Sequence, residues 1–175
     1  MGFPATSGPH TRFTEFRIPD ENVLADGTAA TDLVNQAFTA TAGLVGAFSV
    51  SIMRAAFEAA LTFAKEDSRG GSGPIIQHQS VANLLVDIKM RTDSARLLTW
   101  KALHALENGP GNFANRQELC LQAKIFCSDS CVKAVTDAMS AVGMSVFPGS
   151  PQLVIAQLTS RLGPHTARRS HSRAC

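Results

Sequence analysis

The sequence has 175 residues, of which 45% are hydrophobic and 17% charged, which is enough apolar material for one compact domain with its own core. The net charge of +2 is too small for a dedicated nucleic-acid surface, so nucleic acid is excluded as the expected partner. All 14 acidic residues lie at or before Asp137, whereas four arginines follow it, so the end of the chain differs in kind from the rest.

The first element that the sequence predicts is a short β-strand. Thr11–Ile18 alternates, with Phe13 and Phe16 flanking polar positions, and the turn sequence Pro19–Asn22 follows. A single strand cannot form a sheet, so its partner strands must lie elsewhere. The isolated strand is therefore a first indication that the chain is a fragment.

A long helix is predicted from about Thr31 to the glycine-rich loop at Arg69–Gly73, with Thr31 or Asp32 as its N-cap. Apolar residues at steps of three and four form one stripe, which we expect to be buried. Its members are Val34, Phe38, Thr41, Val45, Phe48, Ile52, Ala56, Ala59 and Phe63. Leu33–Met53 carries no charge and is long enough to span a membrane. Its six polar residues instead favour a buried helix of a soluble bundle, so no membrane partner is expected.

Two further helices are predicted at about Gln79–Glu107 and Asn115–Val142, separated by a Gly-Pro-Gly stop. Long helices with short connections are typical of an antiparallel bundle. The sequence therefore predicts an all-α fold, an incomplete four-helix bundle over residues 29–146. Residues 147–175 hold one short apolar run and then a Ser, His and Arg-rich tail, which is typical of disorder.

Three of the four cysteines, Cys120, Cys127 and Cys131, recur on one helical face, as small buried residues do. Zinc sites usually contain a Cys-x-x-Cys step, which is missing here, so no metal site is predicted. Unpaired buried thiols fit a reducing intracellular compartment such as the cytoplasm.

The loop in "KEDSRGGSGPIIQHQSVANLL" combines an arginine, several glycines and the start of the second helix. Backbone N–H groups beside glycines, an arginine fork and a helix N-terminus can each bind a phosphate. The loop lacks the Gly-Lys-Ser/Thr of a P-loop, so the residues alone favour an ordinary solvated connection.

Three segments carry a resemblance to a known family: "TSGPHTRFTEFRIPDENVL", "RAAFEAALTFAKEDSRGGSGPIIQHQSVANLLVDIKMRTDSARLLTWKA" and "DAMSAVGM". Together they resemble the carboxy-terminal half of the acyl-CoA dehydrogenase superfamily, and within it the nitroalkane oxidase branch. The resemblance implies FAD as cofactor, a homotetramer and a small-molecule substrate. It also implies that an amino-terminal helical domain and a β-domain precede this segment in the family, and that residues 1–28 are the end of that β-domain, its last strand and linker.

The resemblance assigns residues to the cofactor and the substrate. Matching positions in the family hold the FAD pyrophosphate and adenine end, and these are Arg69, His78 and Gln79. The segment Ala141, Val142, Gly143 and Met144 matches one that approaches the flavin, although Gly143 also fits a plain helix C-cap. Thr41 matches a serine that faces the substrate's nitro group, while a hydroxyl bonded to the carbonyl one turn back is the alternative.

The family's catalytic carboxylate has no counterpart, because no Asp or Glu follows Asp137. We therefore expect a fragment of an FAD-dependent oxidoreductase that resembles nitroalkane oxidase, which converts a nitroalkane and oxygen to an aldehyde or ketone, nitrite and peroxide. Two alternatives stay open: an acyl-CoA dehydrogenase, and a catalytically inactive helical module that only self-associates.

Overall fold

A computed structural model describes residues 10–109 and 112–143. Three long helices make up this part of the chain: α1 (Gly27–Glu66), α2 (Gln79–Asn108) and α3 (Phe113–Val142). Single 3-10 turns lie at Asp20–Asn22, before α1, and at Ile75–Gln77, before α2. The predicted all-α class is therefore confirmed.

The bounds of α2 and α3 agree with the prediction to within two residues. The N-cap of α3 is Asn112, whose side-chain oxygen accepts the Asn115 N–H at 3.1 Å. The same helix ends at Gly143, whose φ of +63° suits glycine at a helix C-terminus.

The predicted start of α1 is wrong by four residues. Asp26 is its N-cap and Gly27 its first residue, whereas Thr31 already lies inside the helix. The Thr31 hydroxyl donates back to the Gly27 carbonyl at 3.5 Å, which is the bond of a mid-helix threonine and not of a cap.

Contacts between small side chains set the directions of the three helices. Cys120 Sγ faces the Ala102 carbonyl and Cys127 Sγ faces the Ala95 carbonyl, so α2 and α3 are antiparallel. A Cβ at Gly43 would meet Leu103 and Cys120, and one at Gly46 would meet Thr99 and Cys127. The first helix is therefore antiparallel to α2 and parallel to α3, as an antiparallel bundle with short connections requires.

The face of α1 that packs against α2 and α3 is not the stripe expected for its first half. Phe38 is 69% exposed and Phe48 is 54% exposed. The buried residues are mostly small: Thr39, Ala42, Gly43, Gly46, Ser49, Ile52, Met53, Ala56, Ala60 and Ala64. Small side chains allow close approach of the helices, so the larger ones point outward. Ile52 and Ala56 are the members of the predicted stripe that are buried.

The inner faces of α2 and α3 contain both small and larger apolar residues. Leu85, Ile88, Ala95 and Ala102 of α2 are buried, and Leu84 and Leu98 are half-buried. On α3, Ala123, Cys127, Cys131, Ala134 and Ala138 are buried. The last four join Met53 in one core cluster, whereas Ala123 packs with Ala42, Ala102 and Cys120 in a second one.

Large apolar side chains also lie on the outside of all three helices, and we call them the outer apolar residues. They are Leu33, Val34, Phe38, Leu44 and Phe48 on α1, Val86, Met90, Leu97 and Trp100 on α2, and Leu121, Ile125, Phe126, Val132 and Met139 on α3.

By length and apolar composition alone, α1 meets the criteria for a membrane-spanning helix. Core helices of soluble proteins pass the same test.

The predicted strand at Thr11–Ile18 does not form. Strands are absent from the described ranges, and the chain bends at Thr14 and Glu15, where φ of Glu15 is +49°. This bend brings the rings of Phe13 and Phe16 to 5.8 Å, although residues three apart in a strand would lie on opposite faces. Without a partner strand to satisfy its backbone, the segment is exposed along its whole length.

Candidate functional site

The loop between α1 and α2 is closed by hydrogen bonds to Asp67. The carboxylate oxygen Oδ1 of Asp67 accepts the Arg69 N–H at 2.7 Å. The backbone carbonyl of Asp67 accepts the Ile75 N–H at 2.9 Å. Between these bonds, Arg69 and Gly70 both have positive φ, at +51° and +75°. The loop is therefore a compact turn whose two ends are held together by one residue.

The Arg69 side chain crosses from this loop to the end of α3. Its guanidinium donates to the Val142 carbonyl and lies over the Phe63 ring, 5.0 Å from the ring centre. A Cβ built on Gly143 would lie 3.7 Å from one of its nitrogens. The structure thus brings together three of the residues predicted for the cofactor, Arg69, Val142 and Gly143, although α3 ends 73 positions after the arginine.

The exposure of this guanidinium and its number of donors leave it available to a second acceptor. A positive charge is favoured at the carbonyl end of α3, where the helix dipole is negative. The Arg69 side chain is still 37% exposed. A guanidinium has five N–H donors, so the bond to Val142 leaves others for a phosphate oxygen.

His78 and Gln79 stand at the start of α2. His78 is the N-cap residue and Gln79 the first helical residue, and both are exposed. The first N–H groups of a helix have no partner within the helix and form an anion-binding end. The bond between Ile75 and Asp67 fixes this helix start close to the loop closure, on the side of the bundle where α1 ends.

The residues predicted to approach the flavin, at the end of α3, have structural roles where the structure describes them. Ala141 and Val142 are buried in the last turn of α3, and Gly143 is its C-cap, so the cap interpretation of this glycine is confirmed. Met144 lies outside the described residues. The predicted flavin contacts of this segment stay a prediction.

Thr41 lies far from this end of the bundle. It is exposed on the outward face of α1, and its hydroxyl donates to the Ala37 and Phe38 carbonyls at 3.0 and 3.1 Å. From Thr41 to the end of α1 at Glu66 is 25 residues, which at a rise of 1.5 Å per residue is about 37 Å. Within one chain the structure does not bring Thr41 and Arg69 together.

Two residues in this region were missed by the sequence analysis. Asp67 closes the loop, and an Asp just before a glycine-rich run is the sequence signal of an Asx turn that could have revealed it. Asp137, the last acidic residue, is 5% exposed. One carboxylate oxygen accepts from Lys133 Nζ at 2.5 Å, and the other has no hydrogen-bond partner in the described part.

A separate concave surface is a groove of about 480 Å³ between α1 and α2. It is lined by Arg54, Glu58, Arg96 and Trp100 among others, and contains none of the predicted site residues. Arg54 is paired with Glu58 at 2.8 Å. Within residues 10–109 and 112–143, no three His, Cys, Asp or Glu side chains are placed to hold a metal ion.

Residues 31–162 match the family described as acyl-CoA dehydrogenase, C-terminal domain. Three long helices, each antiparallel to the next along the chain, are consistent with this match. The chain therefore belongs to the acyl-CoA dehydrogenase family, and the part of the family fold that it contains is the C-terminal domain. The match extends beyond residue 146, so the proposed domain boundaries at 28 and 146 stay predictions.

Within this family the chain is similar to nitroalkane oxidases. It is 51% identical over 146 residues to the nitroalkane oxidase of Podospora anserina, and 51% identical over 147 residues to that of Fusarium oxysporum. Each of these matches covers 83% of this chain and 34% of the relative, so the chain spans about a third of their length.

Solved structures of the flavoprotein nitroalkane oxidase show the same fold. One of them, a complex with the competitive inhibitor spermine, superposes with a TM-score of 0.85 at 47% identity. That match covers 92% of this chain and 37% of the solved chain.

Proposed function

We propose that this chain is part of an FAD-dependent oxidoreductase of the nitroalkane oxidase type, and that it holds the pyrophosphate and adenine end of FAD. One observation carries the proposal. Arg69 reaches the end of α3 at Val142 and keeps free donors there, in a chain that is 51% identical to nitroalkane oxidases over this region.

The described residues fit the binding of an anion and not the breaking of a bond. FAD, when bound, supplies the electron acceptor for oxidation of the substrate. Arg69 and the N–H groups at the start of α2 would hold phosphate oxygens, with His78 and Gln79 beside them. Thr41 would orient the substrate through its hydroxyl. No carboxylate follows Asp137, so we assign proton abstraction to no residue of this chain.

The distance between Thr41 and Arg69 supports self-association, with the family's homotetramer as the assembly. About 37 Å of helix lies between Thr41 and the end of α1, where Arg69 follows. A substrate held near Thr41 would therefore meet the flavin of one FAD, while Arg69 of the same chain would hold the phosphates of another. Each FAD would then be shared between two copies of the chain. The outer apolar residues offer surface for such contacts.

Two other functions have a specific observation in their favour. The family match by itself suits an acyl-CoA dehydrogenase, which oxidises the CH–CH bond of an acyl-CoA. The outer apolar residues and the absence of a carboxylate after Asp137 suit an inactive module that only self-associates. A reducing compartment is a further proposal, supported by the free buried thiols Cys120, Cys127 and Cys131.

Flavin retention tests the proposal directly. The 175-residue chain is purified with excess FAD and desalted, and its visible spectrum is recorded together with its mass in solution. We expect a retained flavin band that weakens in Arg69→Ala and Gln79→Ala and persists in Arg54→Ala, an exposed arginine in the groove between α1 and α2. A colourless oligomer would instead favour the self-association module. In flavin-loaded protein, release of nitrite from nitroethane would favour the nitroalkane oxidase type. Oxidation of an acyl-CoA would favour the acyl-CoA dehydrogenase.

A further inference from the structure

We propose that Asp67 is the positioning residue for Arg69, and that it acts through the hydrogen bond it accepts and not through its charge. The inference rests on the proposed function, because it concerns how the arginine is presented to the cofactor's phosphates. It starts from the backbone of the loop. An arginine at φ of +51° is in a conformation that residues with a Cβ avoid.

The bond from the Arg69 N–H to Asp67 Oδ1, at 2.7 Å, compensates for that conformation. The same residue receives the Ile75 N–H on its carbonyl, so Asp67 fixes both the left-handed turn and the return of the chain towards α2. Loss of the carboxylate oxygen leaves the turn without its side-chain acceptor. Arg69 is then free to relax to ordinary negative φ.

The direction of the guanidinium follows from this backbone. With Arg69 in the left-handed turn, its side chain runs back over Phe63 and reaches the Val142 carbonyl. In a relaxed turn the Cα–Cβ bond would point elsewhere, and the guanidinium would lose both contacts. Asp67 thus acts on the phosphate site through Arg69 and does not touch the anion itself.

The negative charge of Asp67 should weaken phosphate binding, whereas its hydrogen bond to the Arg69 N–H should favour it. A carboxylate near the guanidinium, with Oδ1 3.7 Å from Nε, reduces the attraction for a phosphate. Both side chains are about a third exposed, and interactions between charges are weak when water screens them. We therefore expect the geometric effect to outweigh the electrostatic one.

Two substitutions separate these effects. Asp67→Asn keeps an oxygen that can accept the Arg69 N–H and removes the charge, whereas Asp67→Ala removes both. In FAD titrations of the full chain we expect Asp67→Ala to weaken binding about tenfold, equivalent to about 1.4 kcal/mol, and Asp67→Asn to bind as the parent does. The matched control is Asp87→Ala, an exposed aspartate of α2. Unchanged or tighter binding by Asp67→Ala would overturn the inference, as would equal losses in both variants.

A second measurement does not depend on FAD. Urea unfolding of Asp67→Ala, Arg69→Ala and the double variant gives the coupling between the two residues. We expect the Arg69 substitution to change the unfolding equilibrium constant about fivefold less when Asp67→Ala is already present, and by the parental amount when Asp67→Asn is present. If the parent chain binds no FAD, the proposed function fails for this chain, and this cycle alone decides the inference. Additive effects would reject it.

Discussion

Between Phe38 and Ser49, the inner and outer faces of α1 carry side chains of different size, and the smaller ones contact the rest of the bundle. On the inner face of α1, Gly43 and Gly46 lie against Leu103, Thr99 and Cys127. On its outer face, Phe38 and Phe48 are more than half exposed. Apolar size therefore does not tell which face is buried within the chain. In this stretch α1 is held by close contact of small residues, whereas the larger core residues, such as Met53 and Ile88, lie further along the bundle.

Truncation of a buried and of an exposed side chain should give the largest difference in the free energy of unfolding between the inner and outer faces. Ile88 is fully buried in α2, whereas Leu97 of the same helix is 64% exposed. We expect Ile88→Ala to lower the free energy of unfolding by about 3 kcal/mol, because it leaves a cavity. Leu97→Ala should change it by less than about 0.5 kcal/mol. Urea unfolding followed by circular dichroism measures both. A large loss in Leu97→Ala would mean that the outer face is already packed.

Added volume at the inner face of α1 should have the next largest effect. A Cβ at Gly46 would lie 2.8 Å from Thr99 Oγ1, in a short side chain that has little room to move. We expect Gly46→Val to lower the free energy of unfolding by about 2 kcal/mol. At Gly43 the clash is with the flexible end of Leu103, so Gly43→Ala should be milder. Equal losses in the two variants, in thermal unfolding, would contradict the close packing described.

The buried thiols should give the smallest effect, visible only in alkali. Burial, helped by the neighbouring Cys127, raises the pKa of the Cys131 thiol from an ordinary 9.0 to about 12. Above about pH 9 the unfolded chain loses this proton and the folded chain keeps it. The stabilisation is therefore complete below about pH 9 and is lost as the pH rises towards about 12.

Comparison of Cys131→Ala with the parent chain isolates this contribution. Between about pH 8 and about pH 10, the parent should lose about 1 kcal/mol more of its unfolding free energy than the variant does. Thr136→Ala, an exposed substitution on the same helix, should follow the parent. Identical pH profiles for all three proteins would show that the thiol is not held protonated by burial.

The sequence predicted α2 and α3 well because their ends have strong local signals. Gly109 and Gly143 follow the ends of the two helices. The Asn112 cap of α3 was not predicted, so the start of that helix was placed two residues late. The inner face of α1 was missed because glycine and alanine add little to an apolar pattern, although they permit close approach. The contact between Arg69 and Val142 joins residues 73 apart in the chain. No local pattern encodes it, and only the family resemblance associated the two segments.

The length of α1 has a consequence for how the chain opens. With 40 residues against 30 in each of its neighbours, it extends beyond them at its amino-terminal end, where almost every residue before Thr39 is exposed. These first turns can unwind without disturbing the rest. Amide hydrogens should therefore exchange with solvent quickly before Thr39 and slowly from Met53 onward. In an assembly, any partner that covers Phe38 would slow this exchange.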